Sequence, residues 1–182
     1  MTKRVTFTRG GRYYRVVDPS YLAPLDTSYA KVAGGRWNPP GEFGALYLCA
    51  NPAVAAANAR FQFAGRAIKL FDLLPAAQPD LVTADVPNLE VADVVTATGI
   101  RTVGLPTTYP YGVPWPPCHA IARAAYADRV AGVAARSNAE ATPTSSVGEE
   151  LALFDTVTGV AQVSREAFAL WYPDPIPGAA AP

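Results

Sequence analysis

Prolines and glycines occur along the whole chain, and they limit the length of any helix or strand that the sequence predicts. The 182 residues include 18 prolines and 14 glycines, and proline is poorly tolerated inside helices and central strands. Half of the residues are hydrophobic and 16% are charged, a composition that excludes a disordered chain and a coiled coil. At about 150 residues per domain, this length fits one domain. We therefore predict an α+β domain of many short strands with two or three helices.

Neither a membrane anchor nor a metal or disulfide framework is predicted. No stretch approaches the roughly 18 apolar residues of a membrane span, and the N-terminus lacks an apolar run of signal-peptide length. The two cysteines, Cys49 and Cys118, are too few for a disulfide scaffold and lack metal-ligand spacing. We expect a cytoplasmic protein that holds no metal.

Basic and acidic residues are unevenly distributed, although they cancel over the whole chain. Residues 1–69 carry ten basic and three acidic side chains, and residues 70–182 carry five basic and twelve acidic ones. Two interpretations remain open. Either two solvated faces differ in sign, or an anion such as phosphate or pyrophosphate binds among the N-terminal arginines. A nucleic-acid surface is disfavoured because the pI is about 6.6 and arginines do not alternate with aromatic residues.

The predicted strands are five short apolar runs bounded by turn residues. They cover residues 13–17, 46–49, 67–73, 132–137 and 151–155. Residues 18–35 are predicted to form a loop. The segment between Pro75 and Thr108 is interrupted by Pro79, Pro87 and Pro106, and no element is assigned there.

Two helices are predicted from the signals at their N-termini. Asn51 is expected to cap a helix that has Pro52 at its first position and ends at Gly65. The second helix is expected to begin after Pro114, with a buried apolar stripe on one face. That stripe comprises Cys118, Ile121, Ala122, Ala125 and Tyr126. The chain contains no Gly-x-Gly-x-x-Gly or Walker-type loop, so neither a Rossmann nor a P-loop site is predicted.

The most specific stretch of the sequence is a glycine- and proline-rich motif followed by a short apolar run with a tyrosine. It reads Gly34-Gly35-Arg36-Trp37-Asn38-Pro39-Pro40-Gly41, then Ala45-Leu46-Tyr47-Leu48. This pattern resembles the RES-domain family, the toxins of RES–Xre toxin–antitoxin pairs, named for Arg, Glu and Ser. The resemblance covers roughly residues 12–156. We expect a single RES-like domain over residues 1–172 and a flexible Pro/Ala-rich tail over residues 173–182.

The resemblance implies a compact fold similar to that of ADP-ribosyltransferases, with NAD+ as substrate. Family members cleave the nicotinamide–ribose bond of NAD+, in some cases with phosphate as the acceptor, or transfer ADP-ribose to a protein. Depletion of NAD+ stops growth, and a cognate Xre-type antitoxin blocks the site. Contact with nucleic acid is expected only through such an antitoxin.

Four residues of this chain match family positions that the resemblance assigns to NAD+. Arg15 and Arg36 are expected to hold phosphate oxygens, although Arg36 also fits a salt bridge or a clamp on backbone carbonyls. Tyr47 is expected to stack on nicotinamide or to hydrogen-bond the ribose; the alternative is a core tyrosine. Ser137 is expected to hold the ribose or the nicotinamide amide, and a turn residue is the alternative.

The chain departs from the family at the catalytic carboxylate. Where the family carries a glutamate, eleven residues beyond Tyr47, this chain has Asn58. The carboxylate stabilises the oxocarbenium-like ribosyl cation, and asparagine lacks the charge. Three explanations remain: an impaired enzyme, another carboxylate such as Glu42, Glu149 or Glu150, or a module that binds NAD+ or ADP-ribose without turnover. The charge argument predicts that Asn58→Glu raises NAD+ cleavage.

Overall fold

The computed structural model describes residues 3–146 and 148–172, which form six strands and five α-helices. The strands are β1 (Thr6–Val17), β2 (Ala45–Cys49), β3 (Asp80–Val94), β4 (Gly132–Arg136), β5 (Glu149–Phe154) and β6 (Ala161–Ala167). The helices are α1 (Ser28–Ala33), α2 (Pro52–Gln62), α3 (Ala97–Thr102), α4 (Trp115–Ala127) and α5 (Phe168–Trp171). The predicted α+β class is confirmed, and three short helices add to the two predicted ones. The tail predicted over residues 173–182 lies outside the described residues.

The six strands form one sheet in the order β1–β2–β5–β4–β3–β6, and β1 also pairs with β3. Because β1 pairs with both β2 and β3, the strands β1, β2, β5, β4 and β3 form a closed ring, and β6 pairs with β3 outside this ring. Strands β3 and β4 are parallel, and the other pairs are antiparallel. The central strands β4 and β5 contribute buried valine, alanine and leucine side chains to the core. Helix α2 packs against β1 and β2, and α4 packs against β4.

Strand β3 is longer than the proline content predicts, because it continues through Pro87. Its partner β1 is irregular at this point, with a shift of register between Arg9 and Gly11. A Cβ atom at Gly10 would lie 3.0 Å from the backbone N and Cα atoms of Asn88 and 2.4 Å from its Oδ1, so a larger residue would force Asn88 to shift. Proline is tolerated at such a bulge because no regular ladder hydrogen bond is lost there.

Two local predictions are wrong. Residues 67–73 form no strand but contain a single 3₁₀ turn, Leu70–Asp72. The side chain of Asp72 accepts a hydrogen bond of 2.8 Å from the backbone N–H of Lys69, which stabilises the turn against an extended strand. The loop predicted over residues 18–35 contains α1, a helix without buried residues. Such a helix produces no apolar periodicity from which it can be predicted.

Both predicted helices are confirmed. Oδ1 of Asn51 accepts a hydrogen bond of 3.0 Å from the backbone N–H of Val54, and Pro52 is the first residue of α2. In α4, four of the five predicted stripe residues are buried, whereas Tyr126 is only half-buried and stacks on Phe43. At 13 residues α4 is the longest described helix. None of the helices in the described ranges is long and apolar enough to cross a membrane.

Candidate functional site

Three neighbouring strands form the floor of the candidate site. Strand β5 lies between β2 and β4, and its Glu150 is paired with Cys49 of β2 and with Ala135 of β4. Directly opposite residues share a face of the sheet, and so do residues two positions apart, so Tyr47 lies on the same side as Glu150. Helix α2 brings Asn58 to this side, with its Nδ2 atom 3.4 Å from Sγ of Cys49.

A cavity of about 250 Å³ opens above this floor. It is lined by Arg15, Val16, Tyr47, Leu48, Cys49, Asn58, Gln62 and Glu150. Three residues that the sequence predicts for NAD+ binding or catalysis, Arg15, Tyr47 and Asn58, therefore line one cavity. A second cavity of about 430 Å³ shares Arg15, Val16 and Gln62 with the first, so the two cavities adjoin at the end of β1, and together they are called the cleft.

Glu150 is the carboxylate of this cavity, and two side chains hold it. Its Oε1 atom accepts a hydrogen bond of 2.8 Å from Nδ2 of Asn58 and one of 2.6 Å from Oγ of Ser137. Ser137 follows β4 directly and is 0% exposed, so it lies behind the carboxylate and not on the cavity wall. Within the described residues, Oε2 of Glu150 has no hydrogen-bond partner.

The other two carboxylates considered from the sequence lie elsewhere and are paired with arginines. Glu42 accepts three hydrogen bonds of 2.6 to 3.0 Å from Arg123 on the exposed surface. Glu149 accepts bonds of 2.7 and 3.0 Å from Arg9. Glu149 precedes Glu150 in β5 and therefore points to the opposite face of the sheet.

Tyr47 is held by the glycine-rich motif through its hydroxyl group. The hydroxyl accepts a hydrogen bond of 2.8 Å from the backbone N–H of Trp37 and donates one of 2.8 Å to Oδ1 of Asn38. A Cβ atom at Gly35 would lie 2.5 Å from this hydroxyl oxygen, which explains the glycine. Burial raises the pKa of Tyr47. The hydroxyl is therefore a neutral structural group, and the ring forms the cavity wall.

Removing that hydroxyl is expected to destabilise the fold. In Tyr47→Phe, the N–H of Trp37 and the amide oxygen of Asn38 lose their partner inside the protein, which costs about 1–3 kcal/mol. Urea unfolding followed by circular dichroism measures this loss. Tyr111→Phe is the matched control, because Tyr111 is 49% exposed. Equal stability of the two variants would contradict a structural role for the Tyr47 hydroxyl.

Arg36 binds the protein backbone. Its Nη1 atom donates a hydrogen bond of 2.9 Å to the carbonyl oxygen of Val113 and lies 4.0 Å from Sγ of Cys118. This is the clamp on a backbone carbonyl considered as the alternative from the sequence. Arg36 does not line the cavity of Glu150. Burial raises the pKa values of the Tyr47 and Tyr109 hydroxyl groups, and the positive charge of Arg36 opposes part of this rise.

Arg15 is the arginine that faces the cleft. Its Nη1 atom is buried and has no hydrogen-bond partner, and no ion pair involving it is found in residues 3–146 and 148–172. Burial lowers the pKa of Arg15, yet a guanidinium remains charged at neutral pH. A buried charge without a partner is energetically costly, so the side chain is poised to bind an anion.

The opposite charges of the two halves of the chain pair with each other in the fold. Five basic residues of the N-terminal half contact carboxylates of the C-terminal half, in the pairs Arg4–Asp128, Arg9–Glu149, Arg12–Asp85, Lys31–Asp155 and Arg60–Glu140. The uneven charge distribution is thus largely neutralised across the molecule. In the described residues, this pairing leaves Arg15, Arg36 and Arg66 as the N-terminal arginines without an ion pair, and of these only Arg15 lines the cavity of Glu150.

The thiol of Cys49 in the floor is chemically inert at neutral pH. Burial, followed by the negative charge of Glu150, raises the pKa of Cys49 to about 12. Because the thiolate is the nucleophilic form, a thiol with this pKa does not act as a nucleophile near pH 7. In the described part of the chain, no cluster of three or more His, Cys, Asp or Glu side chains could hold a metal ion.

Three features of the site were missed or left undecided from the sequence. Glu150 was one of three candidate carboxylates, and only its position on the face shared with Tyr47 distinguishes it. Gln62 lines both cavities and lies four residues, one helical turn, after Asn58, a spacing that indicates a shared face. Beside the site, the buried hydroxyl of Tyr109 has no hydrogen-bond partner among residues 3–146 and 148–172, and no signal in the proline-rich segment around it predicts this.

Comparisons with known proteins show the family and the fold of this chain. The family described as the RES domain matches residues 12–174. Relatives from Mycobacterium bovis and Mycobacterium tuberculosis, each named NAD(+) phosphorylase MbcT, are 36% identical over 104 residues, which are 57% of this chain and 55% of each relative. The alignment thus spans about half the length of these curated relatives.

A solved structure extends the likeness to nearly the whole chain. A chain in the crystal structure of the M. tuberculosis MbcT–MbcA toxin–antitoxin complex superposes with a TM-score of 0.76 and 24% identity. The superposition covers 91% of this chain and 89% of that chain. At this level of identity, the likeness shows the shared fold.

Proposed function

This chain belongs to the RES domain family, and on that premise we propose that it binds NAD+ and cleaves the nicotinamide–ribose bond. The observation that carries the proposal is the cavity lined by both a carboxylate and the half-buried Arg15, whose buried Nη1 atom has no hydrogen-bond partner in the described residues. NAD+ needs both groups, because its pyrophosphate is an anion and its reacting ribose develops positive charge. The name NAD(+) phosphorylase of the mycobacterial relatives supports the same activity.

Arg15 holds the pyrophosphate in this proposal. A guanidinium donates two parallel hydrogen bonds to phosphate oxygens, and these bonds are strengthened by charge. The cleft continues from Arg15 to Arg66, Tyr21 and Tyr29, which leaves room for the adenosine half of the dinucleotide. The nicotinamide riboside half then lies in the cavity between Arg15 and Glu150.

Tyr47 and Ser137 position the reacting half. The ring of Tyr47 is fixed through its hydroxyl and offers a flat surface for the nicotinamide. Ser137 acts through Glu150, because its hydroxyl donates to the carboxylate and its side chain is fully buried. Arg36 orders the segment at Val113 and contributes positive charge beside Tyr47; its predicted contact with phosphate stays a prediction.

The same relatives support our choice of the acceptor and of the protein partner. The curated relatives are named phosphorylases, so we assign phosphate as the first acceptor to test, with water as the second. The similar chain occurs in a toxin–antitoxin complex. We therefore infer that this chain is a toxin that depletes NAD+ and that an antitoxin protein, expected from the resemblance to be of the Xre type, covers the cleft.

The direct test is incubation of the purified chain with NAD+, with and without phosphate, followed by chromatography of the products. Free nicotinamide is expected in both reactions or in the phosphate reaction alone. A phosphorylated ADP-ribose identifies phosphate as the acceptor, and ADP-ribose identifies water. NADH is the matched control, because its uncharged dihydronicotinamide is a poor leaving group and no cleavage is expected.

Two outcomes would contradict cleavage with a small acceptor. Binding of NAD+ in a calorimeter without release of nicotinamide would identify a binding module. Transfer of label from NAD+ to an added protein extract would identify an ADP-ribosyltransferase.

A further inference from the structure

Glu150 lies one hydrogen bond away from the helix position at which the resemblance places the catalytic glutamate. We propose that Glu150 is the catalytic carboxylate of this chain and that strand β5 supplies the charge which Asn58 on α2 lacks. This inference rests on the proposed cleavage of NAD+ and names the group that performs it. It also explains how a RES-domain chain without the helix glutamate retains an active site.

The short distance between Asn58 and Glu150 supports the proposal that Glu150 supplies the carboxylate that position 58 lacks. Nδ2 of Asn58 lies 2.8 Å from Oε1 of Glu150, and both residues line the same cavity. The carboxylate thus occupies space directly next to the end of the side chain at position 58. A ribose bound against one of these side chains is within reach of the other.

The contacts of Glu150 favour a catalytic role over a structural ion pair. Both donors to its Oε1 atom, Asn58 and Ser137, are uncharged, so they orient the carboxylate without neutralising it. Glu42 and Glu149 each bind an arginine. Among these three carboxylates, Glu150 alone combines a place in the cavity, an uncompensated negative charge and a second oxygen available to a ligand. Preorganised charge of this kind stabilises a developing cation most effectively.

The reaction step assigns Glu150 an electrostatic task. The bond between ribose C1 and the nicotinamide nitrogen breaks, and both bonding electrons leave with the nicotinamide, which becomes neutral. The ribosyl group carries the positive charge, which the carboxylate of Glu150 stabilises. An oxygen of phosphate or water then donates an electron pair to C1 and forms the new C–O bond. With water as the acceptor, one proton is released, and Glu150 itself is not consumed.

Glu150→Gln tests the proposal, because glutamine has nearly the same shape but no charge and still accepts hydrogen bonds from Asn58 and Ser137. We expect kcat for nicotinamide release to fall by about 10²- to 10³-fold. The dissociation constant for NAD+, measured by calorimetry, is expected to change by less than about threefold, because the lost interaction forms mainly in the transition state. Glu42→Gln and Glu149→Gln are the matched controls, and each is expected to retain the wild-type kcat.

The outcomes separate this inference from the proposed function. If the wild type cleaves NAD+ and Glu150→Gln does so at the same rate, Glu150 is not the catalytic carboxylate, although the proposed function stands. If the wild type releases no nicotinamide from NAD+, the proposed function is wrong and this inference is wrong with it. If Glu150→Gln does not fold, as judged by its melting curve, Glu150→Asp replaces it. Shortening the side chain moves the charge away from the ribose, and a loss of at least about tenfold in kcat is expected; an unchanged kcat overturns the proposal.

Discussion

Replacing Arg15 with methionine is expected to weaken NAD+ binding by roughly 10- to 100-fold, because a hydrogen bond to a charged group contributes about 1.5–3 kcal/mol. In the absence of NAD+, the same substitution is expected to leave the free energy of unfolding unchanged or to increase it. Nη1 of Arg15 is buried without a hydrogen-bond partner in the described residues, so the desolvation of this atom is not compensated in the free protein. An apolar side chain of similar length avoids that penalty.

Opposite changes in binding and stability distinguish a ligand-binding arginine from a structural one. Binding is measured by calorimetry with NAD+, and stability by urea unfolding without ligand. Arg12→Met is the matched control, since Arg12 lies in the same strand, three residues away, with a half-exposed side chain that pairs with Asp85 at the surface. An exposed pair of this kind contributes about 0–1 kcal/mol. If Arg15→Met binds NAD+ like the wild type and is less stable, Arg15 has a structural role.

Local signals in the sequence predict the parts of the site that depend on neighbours along the chain. The motif from Gly34 to Gly41 is found in this way, although its hydrogen bonds to the hydroxyl of Tyr47, nine and ten positions further along the chain, are not predicted. The cap at Asn51 likewise fixes the start of α2 and therefore the orientation of Asn58. For these residues, the hydrogen-bonding groups that determine the local structure lie within about ten positions along the chain.

The remaining parts depend on residues that are far apart in the sequence. The hydrogen bond between Asn58 and Glu150 joins residues 92 positions apart, and it requires β5 to lie beside β2 in one particular register. Shifting the register by one residue would turn Glu150 to the opposite face and bring Glu149 into the cavity. No pattern within either segment distinguishes these two registers.

Strand β3 shows the same dependence in the fold itself. Pro87 argues against a long strand when the segment is considered alone, and the strand is accommodated because β1 has a glycine bulge opposite it. The ion pairs show the same dependence. The sequence gives the net charge of each half of the chain, but only the fold determines which carboxylate each arginine pairs with. Arg15 differs from Arg9 and Arg12 only in what the structure places next to it.

The relation between Asn58 and Glu150 also changes the expected result of Asn58→Glu. The sequence alone predicts that this substitution raises NAD+ cleavage, because it adds a missing charge. With Glu150 already 2.8 Å from the amide of Asn58, the new carboxylate would face a like charge at hydrogen-bond distance. Two carboxylates that share a site cannot both remain ionised without a large penalty. One of the two carboxyl groups is then protonated, and the cavity keeps the single negative charge of the wild type. We therefore expect no increase in kcat from Asn58→Glu alone at neutral pH.

Exchanging the two side chains is expected to restore the activity. Glu150→Asn alone is expected to lower kcat by about 10²- to 10³-fold, whereas the double variant Asn58→Glu/Glu150→Asn again has one carboxylate and one amide in the cavity. We expect it to recover to within about tenfold of the wild type, a strong coupling that a double-mutant cycle of nicotinamide release measures directly. A double variant no faster than Glu150→Asn would show that the two positions do not share one catalytic role. Recovery would mean that the reaction requires a carboxylate at this place in the cavity, whether the helix or the strand supplies it.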